Sequence, residues 1–263
     1  MLVPLAFHGV TDKPSYPWEI TANDLDSMIR QFKRHDFAAV APASLSSMLD
    51  NGFTGRNMLI TFDDGLSTSA EAIKQLYRDH GIRSVFFVIT DLLGKPGYVD
   101  KNTLLELQNN FGCHIGLHGR RHYETSKIIA EGGDLTAEIE EARTDLSAML
   151  HHYIDWYAYP YGDYNASAVA GIASTGIKFA FTIEGEEVKK DSNRMLLPRV
   201  MYLKGAQEAG EVSPADWLPP SSASTGSLTI TLSLLAGFLG LNWTLKFLAF
   251  FRAWSKLRRK PQT

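Results

Sequence analysis

Apolar residues along the first two hundred positions fall into two alternating patterns. Short runs of four to seven residues, rich in Val, Ile, Phe and Tyr, occupy positions 3–7, 37–41, 58–62, 84–89, 114–117, 156–159, 178–183 and 196–202. Runs of that length and composition read as buried strands. Longer amphipathic stretches lie between them. Positions 21–35 open with Thr21 followed three residues later by Asp24, a helix-capping signal, and then set Leu25, Met28, Ile29 and Phe32 on one face. Positions 67–80 group Ala72, Ile73, Leu76 and Tyr77 and stop at Gly81; positions 136–150 group Ile139, Ala142, Leu146, Met149 and Leu150. About eight strands separated by helices imply a mainly parallel sheet, either open and doubly wound or closed as a barrel. Periodicity alone does not choose between the two.

Composition adds little until it is divided along the chain. With 44% apolar and 21% charged residues the protein is of ordinary globular type, which excludes disordered and fibrous classes. The single cysteine, Cys113, forms no internal disulfide. The net charge of −3 conceals a split: residues 217–263 contain no Asp or Glu and carry +6, so the preceding body carries −9. An acidic body argues against nucleic acid as a partner. Residues 213–227 are dominated by Pro, Ser, Ala, Thr and Gly and read as a linker. Beyond it, a helical projection sets Trp243, Phe247, Phe250, Phe251, Trp254 and Leu257 opposite Arg252, Ser255, Lys256 and Arg259. That is the pattern of a helix lying at an anionic membrane surface. The chain thus divides into a domain at 1–212, a linker at 213–227 and a membrane-associating tail at 228–263. Residues 1–8 have none of the features of a secretory signal, so the expected location is the cytoplasmic side of a bacterial inner membrane.

Three of the strands end in polar clusters, where parallel α/β folds place their ligands. The strand at 58–62 runs into Asp63-Asp64-Gly65. Adjacent carboxylates repel unless a cation or donors offset them; a metal ligand beside a general base is one explanation, a helix cap the other. The strand at 114–117 ends in His118-Gly119-Arg120-Arg121-His122, whose two imidazoles, four residues apart, share a side of a helical turn and suit one divalent ion. An Asp from another strand would complete three protein ligands and leave a position open for water, as catalytic metal sites do. The strand at 156–159 leads into Pro160-Tyr161-Gly162, which reads either as an aromatic groove wall with the Tyr161 amide as oxyanion donor or as a tight turn. His114, at the start of its strand, reads as a satisfied core histidine.

In this order Thr61-Phe62-Asp63-Asp64-Gly65, His118-x-x-x-His122 and Tyr159-Pro160-Tyr161-Gly162 resemble the successive motifs of the polysaccharide deacetylase family, carbohydrate esterase family four, also called the NodB-homology domain. The likeness covers roughly residues 1–205. Phe7-His8-Gly9-Val10 and Leu197-Pro198-Arg199-Val200 draw it toward the poly-N-acetylglucosamine deacetylase branch. The resemblance implies a distorted (β/α) barrel with fewer strands than eight. It implies that Asp64, His118 and His122 bind a divalent metal, Zn2+ first with Co2+ or Ni2+ as alternatives, and that Asp63 is the general base.

This chain also departs from the family pattern. Gly119 replaces the usual Ser or Thr, Ala158 replaces an Arg, and no histidine follows His152, so the family's late general acid has no counterpart. His8 is the one replacement at hand, and Arg199 is a source of the missing positive charge near Pro160 and Tyr161. The expected activity is metal-dependent removal of acetyl groups from an N-acetylated glycan or lipid-linked sugar. The alternatives are deformylation or another amide hydrolysis in the same site, and a degraded family member that binds glycan or acts as a membrane scaffold.

Overall fold

A computed structural model describes residues 1–202. The linker at 213–227 and the tail at 228–263 lie outside the described residues. Among the described residues no helix is long and apolar enough to cross a membrane.

All eight expected strands form, β1 and β3 longer than expected, β5 as expected and the rest shorter: β1 (Leu2–Phe7), β2 (Phe37–Ala39), β3 (Arg56–Phe62), β4 (Val85–Val88), β5 (His114–Leu117), β6 (Trp156–Ala158), β7 (Phe179–Phe181) and β8 (Val200–Met201). They form one sheet in the order β7-β6-β5-β4-β3-β1-β8, with β2 paired to the start of β3. Every named pairing is parallel. The architecture is an α/β half-barrel. A bridge between Phe181 and Leu197, just before β8 pairs with β1, draws the two edges toward each other.

The helices are α1 (Ala22–Arg34), α2 (Leu45–Asn51), α3 (Ser67–His80), α4 (Lys101–Phe111), α5 (Thr125–Ala130), α6 (Leu135–Leu150) and α7 (Ala166–Ser174). The capping signal at Thr21 is a full capping box with Asp24, and α3 stops at Gly81 in the left-handed conformation, where a residue without Cβ is unstrained. Sequence periodicity had identified α1, α3 and α6 but not the other four.

Side chains on a strand alternate between faces, and this alternation positions the site. Odd positions of β1 and even positions of β3 face the helices, in the larger core with Val3, Leu5, Met58, Ile60 and Phe62. The opposite register packs the smaller, concave core, with Leu2, Leu59, Val85, Phe87, Trp156, Phe179 and Phe181. Continued one step past the strand ends, that concave register reaches His8, Asp63 and His118. Gly116 lies in it too. A Cβ there would come within 2.5 Å of Phe87 Cδ1 and 3.2 Å of the Trp156 carbonyl oxygen, so the strand admits only glycine at that position without displacing its neighbours.

Gly116→Ala should therefore lower stability by about 1–3 kcal/mol through overpacking of the concave face, read as a drop in the urea midpoint. An unchanged midpoint would mean that Phe87 has room to move.

Candidate metal and catalytic site

Asp63 and Asp64 both reach the same imidazole from the end of β3: Asp63 Oδ2 lies 4.0 Å and Asp64 Oδ1 3.6 Å from His118 Nε2. Asp64 has φ 73°, in the left-handed region, as does Gly65 after it. Among the described residues five that are not glycine have positive φ: Asp36, Asp64, His122, His151 and Tyr161. Three of them belong to this site, and backbone held in a sparsely populated conformation is a mark of functional geometry.

The sequence expectation of a helical turn at 118–122 is not met. The segment is a loop, with Gly119 at φ +75° and His122 at φ +60°, and these two left-handed residues fold the imidazoles onto each other without helical spacing. At Gly119 a residue without Cβ adopts that conformation unstrained. A Cβ on it would lie 3.4 Å from Pro160 Cγ, so the loop also approaches the 160–162 turn closely.

His118 is buried, and its Nδ1 lies 2.8 Å from the Ala158 carbonyl oxygen. A carbonyl only accepts, so Nδ1 carries the proton and Nε2 presents a lone pair. The Nε2 atoms of His118 and His122 are 3.2 Å apart, and Asp64 Oδ1 is 3.6 Å from the first and 3.4 Å from the second. Among the described residues this is the group of His, Cys, Asp and Glu side chains able to hold a metal ion, and all three are buried. An ion with ligands about 2.1 Å away in tetrahedral array separates them by about 3.4 Å. The donor set and its spacing fit a divalent ion.

Asp63 is also buried and takes a different partner. Arg199 donates to both of its oxygens, Nη1 to Oδ1 at 2.7 Å and Nη2 to Oδ2 at 2.8 Å. The same guanidinium donates to Thr61 Oγ1 at 2.9 Å and to the Thr182 carbonyl at 3.1 Å, and lies over the Phe87 ring at 5.2 Å. Burial is the largest single influence on Asp63 and would raise its pKa, but the Arg199 charge and hydrogen bonds, with His118 and His8 adding to them, together hold the carboxyl well below the usual range. Arg199 is fully buried, so its charge goes to Asp63 and not to the groove at Pro160 and Tyr161.

His8 lies within electrostatic reach of Asp64, Asp63 and His118; burial pushes its pKa below the ordinary value against the pull of the two carboxylates. Pro160 is buried, and Tyr161, at φ 61°, sets its ring 4.4 Å from that of His122. His114 is at the far end of β5. Its Nε2 makes no hydrogen bond among the described residues but faces Asp155 Oδ1 at 3.7 Å, and burial lowers its pKa to about 4, so it is a partly buried histidine beside a carboxylate and not the hydrogen-bonded core residue expected.

The ligand loop is fastened by residues that sequence reasoning missed. Arg121 donates to the largely buried Glu138 of α6 at 2.8 Å; Arg120 reaches Asp91 at 3.1 Å and also Glu141. Asp163 accepts from Ser126 N at 2.7 Å and Ser126 Oγ at 2.8 Å, while Thr125 donates to its carbonyl. Asp163 thereby ties the segment after His122 to the 160–162 turn. It directly follows the cluster at 160–162, but nothing there points to a partner near residue 126. Glu138 is one acid among several on α6 and carried no signal at all.

These features have counterparts among known proteins. A family profile for polysaccharide deacetylase matches residues 50–180. The poly-β-1,6-N-acetyl-D-glucosamine N-deacetylase of Staphylococcus aureus is 24% identical over 203 residues, covering 73% of this chain and 70% of that protein. Among solved structures, IcaB from Ammonifex degensii superposes with a TM-score of 0.71 at 22% identity, over 80% of this chain and 96% of that one. Streptococcus pyogenes deacetylase PplD in complex with acetate gives 0.71 at 17% identity, over 82% and 95%. The structural likenesses establish the fold. With the matched profile and the motifs at Asp63–Asp64, His118–His122 and Pro160–Tyr161, the chain belongs to the polysaccharide deacetylase family, hydrolases of carbon–nitrogen bonds other than peptide bonds, on its poly-N-acetylglucosamine deacetylase side.

Proposed function

We propose that this protein is a metal-dependent N-deacetylase of a glycan containing N-acetylglucosamine. The observation that carries the reading is the buried cluster of Asp64, His118 and His122 beside a second carboxylate, Asp63, that Arg199 keeps ionised. The substrate class is supported by the S. aureus relative, whose name specifies a β-1,6-linked N-acetylglucosamine polymer. A divalent ion held by Asp64, His118 and His122, with Zn2+ the best match to two imidazoles and a carboxylate, would acidify water and polarise the amide carbonyl.

The rest of the chemistry falls to the chain's own groups. Asp63 takes a proton from the attacking water through the lone pairs that Arg199 leaves open. Because that carboxylate is a weak base, it acts efficiently only on an acidified water. The Tyr161 backbone N–H is aimed at the oxyanion in this reading. His8 relays to the departing amine the proton that Asp63 took from water: burial holds its pKa below the ordinary value, so it rests neutral, and once protonated it gives the proton up readily. Acetate and a free amine result. The lipid link of the substrate, and attachment of the 228–263 segment to an anionic membrane surface, rest on that segment's composition alone.

Asp63→Asn should reduce acetate release by about 10²–10⁴-fold with one equivalent of metal retained, and His122→Ala should lose both activity and metal. Turnover unaltered in Asp63→Asn would refute the base assignment.

Arg199→Met leaves a buried carboxylate without its counter-charge and should cost about 3–5 kcal/mol at neutral pH. In the parent protein the folded-state pKa of Asp63 is lowered, so the pair's contribution is present above about pH 4, the unfolded value, and is lost as pH falls through the folded one. In the variant the guanidinium's charge and hydrogen bonds are gone and burial, the largest influence, raises that pKa, so stability falls as pH rises. Urea midpoints across mildly acid to neutral pH should therefore show the variant deficit growing with pH. A constant deficit would overturn the account.

Full-length protein should co-sediment with anionic liposomes and not with neutral ones; absence from both would remove the membrane proposal.

A further inference from the structure

The loop leaving β1 carries two aromatic side chains that no part of the proposed chemistry uses. Tyr16 and Trp18 stack in parallel, ring centroids 4.9 Å apart and planes 9° from each other. Tyr16 is 54% exposed, one of the most exposed large apolar side chains among the described residues. The pair lies outside residues 50–180, the part that matches the family profile.

This loop is built with more order than an exposed turn needs. At its root, Val10 bridges Ile20, with Thr11 N donating to Ile20 O at 2.8 Å and Ile20 N to Gly9 O at 3.0 Å. At its tip, Glu19 N donates to Tyr16 O at 3.0 Å, closing a four-residue turn with Pro17 at its second position, where a fixed φ is favoured. The Glu19 carboxylate accepts from the backbone N–H of Ser15 at 2.7 Å and of Tyr16 at 3.1 Å. A Cβ on Gly9 would lie 3.0 Å from Glu19 Cγ, so Gly9 gives this stem its place beside the loop root. Proline, carboxylate and rung together hold the two rings in one arrangement before any ligand arrives.

Placement says what the rings are for. The root residue Gly9 follows His8 directly, and His8 shares the concave register and the electrostatic field of Asp63, Asp64 and His118. The loop that carries the stacked pair therefore leaves the carboxyl-end rim of the sheet, the end at which the metal cluster lies. A neutral polymer offers such a rim no charge to grip; it offers the apolar C–H faces of its pyranose rings, which lie flat on exposed aromatic faces. Ordering the rings in advance lowers the entropy lost on binding. We propose that Tyr16 and Trp18 form a subsite that stacks a sugar unit of the glycan at a distance of one or more residues from the reacting one. This inference rests on the deacetylase reading for the identity of the glycan, not for the existence of the platform.

The test compares acetate release from N-acetylglucosamine dimers and hexamers by full-length protein, with tryptophan fluorescence titrated by the same oligomers under chelator. The double variant Tyr16→Ala/Trp18→Ala should raise KM for the hexamer about tenfold, with kcat and the dimer KM within about twofold. Tyr16→Phe keeps the stack and should behave as the parent, which separates ring loss from misfolding. Hexamer should change the parent's fluorescence and leave that of Trp18→Phe unaffected. Equal effects on dimer and hexamer, or none, with acetate release intact would overturn the subsite and leave the deacetylase reading standing. No acetate from the parent, with a Trp18-dependent fluorescence response, would do the reverse. The absence of both signals in the parent would overturn both.

Discussion

One buried guanidinium holds the catalytic end of this half-barrel together. Arg199 bonds to Asp63 beyond β3, to Thr61 within β3 and to the carbonyl of Thr182 beyond β7, and its flat face lies on Phe87 of β4. Thr61 in turn donates to the Leu5 carbonyl of β1. A charge taken this far out of water is tolerable only if its donors are matched, and here the acceptors come from several strands. The Leu197–Met201 segment must therefore run between β7 and β1, which is what its bridge to Phe181 and its pairing with Leu5 and Ala6 accomplish.

The same pair divides the labour of two adjacent acids. Asp63 and Asp64 share a strand end, both come within 4.0 Å of His118 Nε2, and would repel without separate compensation. The left-handed turn at Asp64 brings it to both imidazoles while Asp63 keeps the guanidinium. Arg199 offsets the charge of Asp63; Asp64, set against the two imidazoles, fits a divalent ion as its counter-charge.

What was legible in the sequence, and what was not, follows the range of the interactions. The strands were readable because parallel strands are buried on both faces and form unbroken apolar runs. The helix α7 was not, because its Ala-rich sequence buries only Ala168 and Ile172 and has almost no stripe to detect. The helix α4 had a cap at Asp100 and an apolar face at Leu104, Leu107 and Phe111, a signal that was present and passed over. Asp63, Asp64, His118 and His122 stood out as clustered motifs. Their local geometry did not: spacing of four suggested a helix, whereas two left-handed residues do the folding. The Arg199–Asp63 bond spans 136 positions, and no local pattern reports a contact of that range.

The left-handed backbone at Asp64, His122 and Tyr161 sets a cost in stability against the chemistry of the site. Each of these positions would be relaxed by glycine, or at Asp64 by asparagine. Glycine would keep the path of the backbone and lose the acid, the imidazole or the ring, so the strain is the cost of having side chains at those three points.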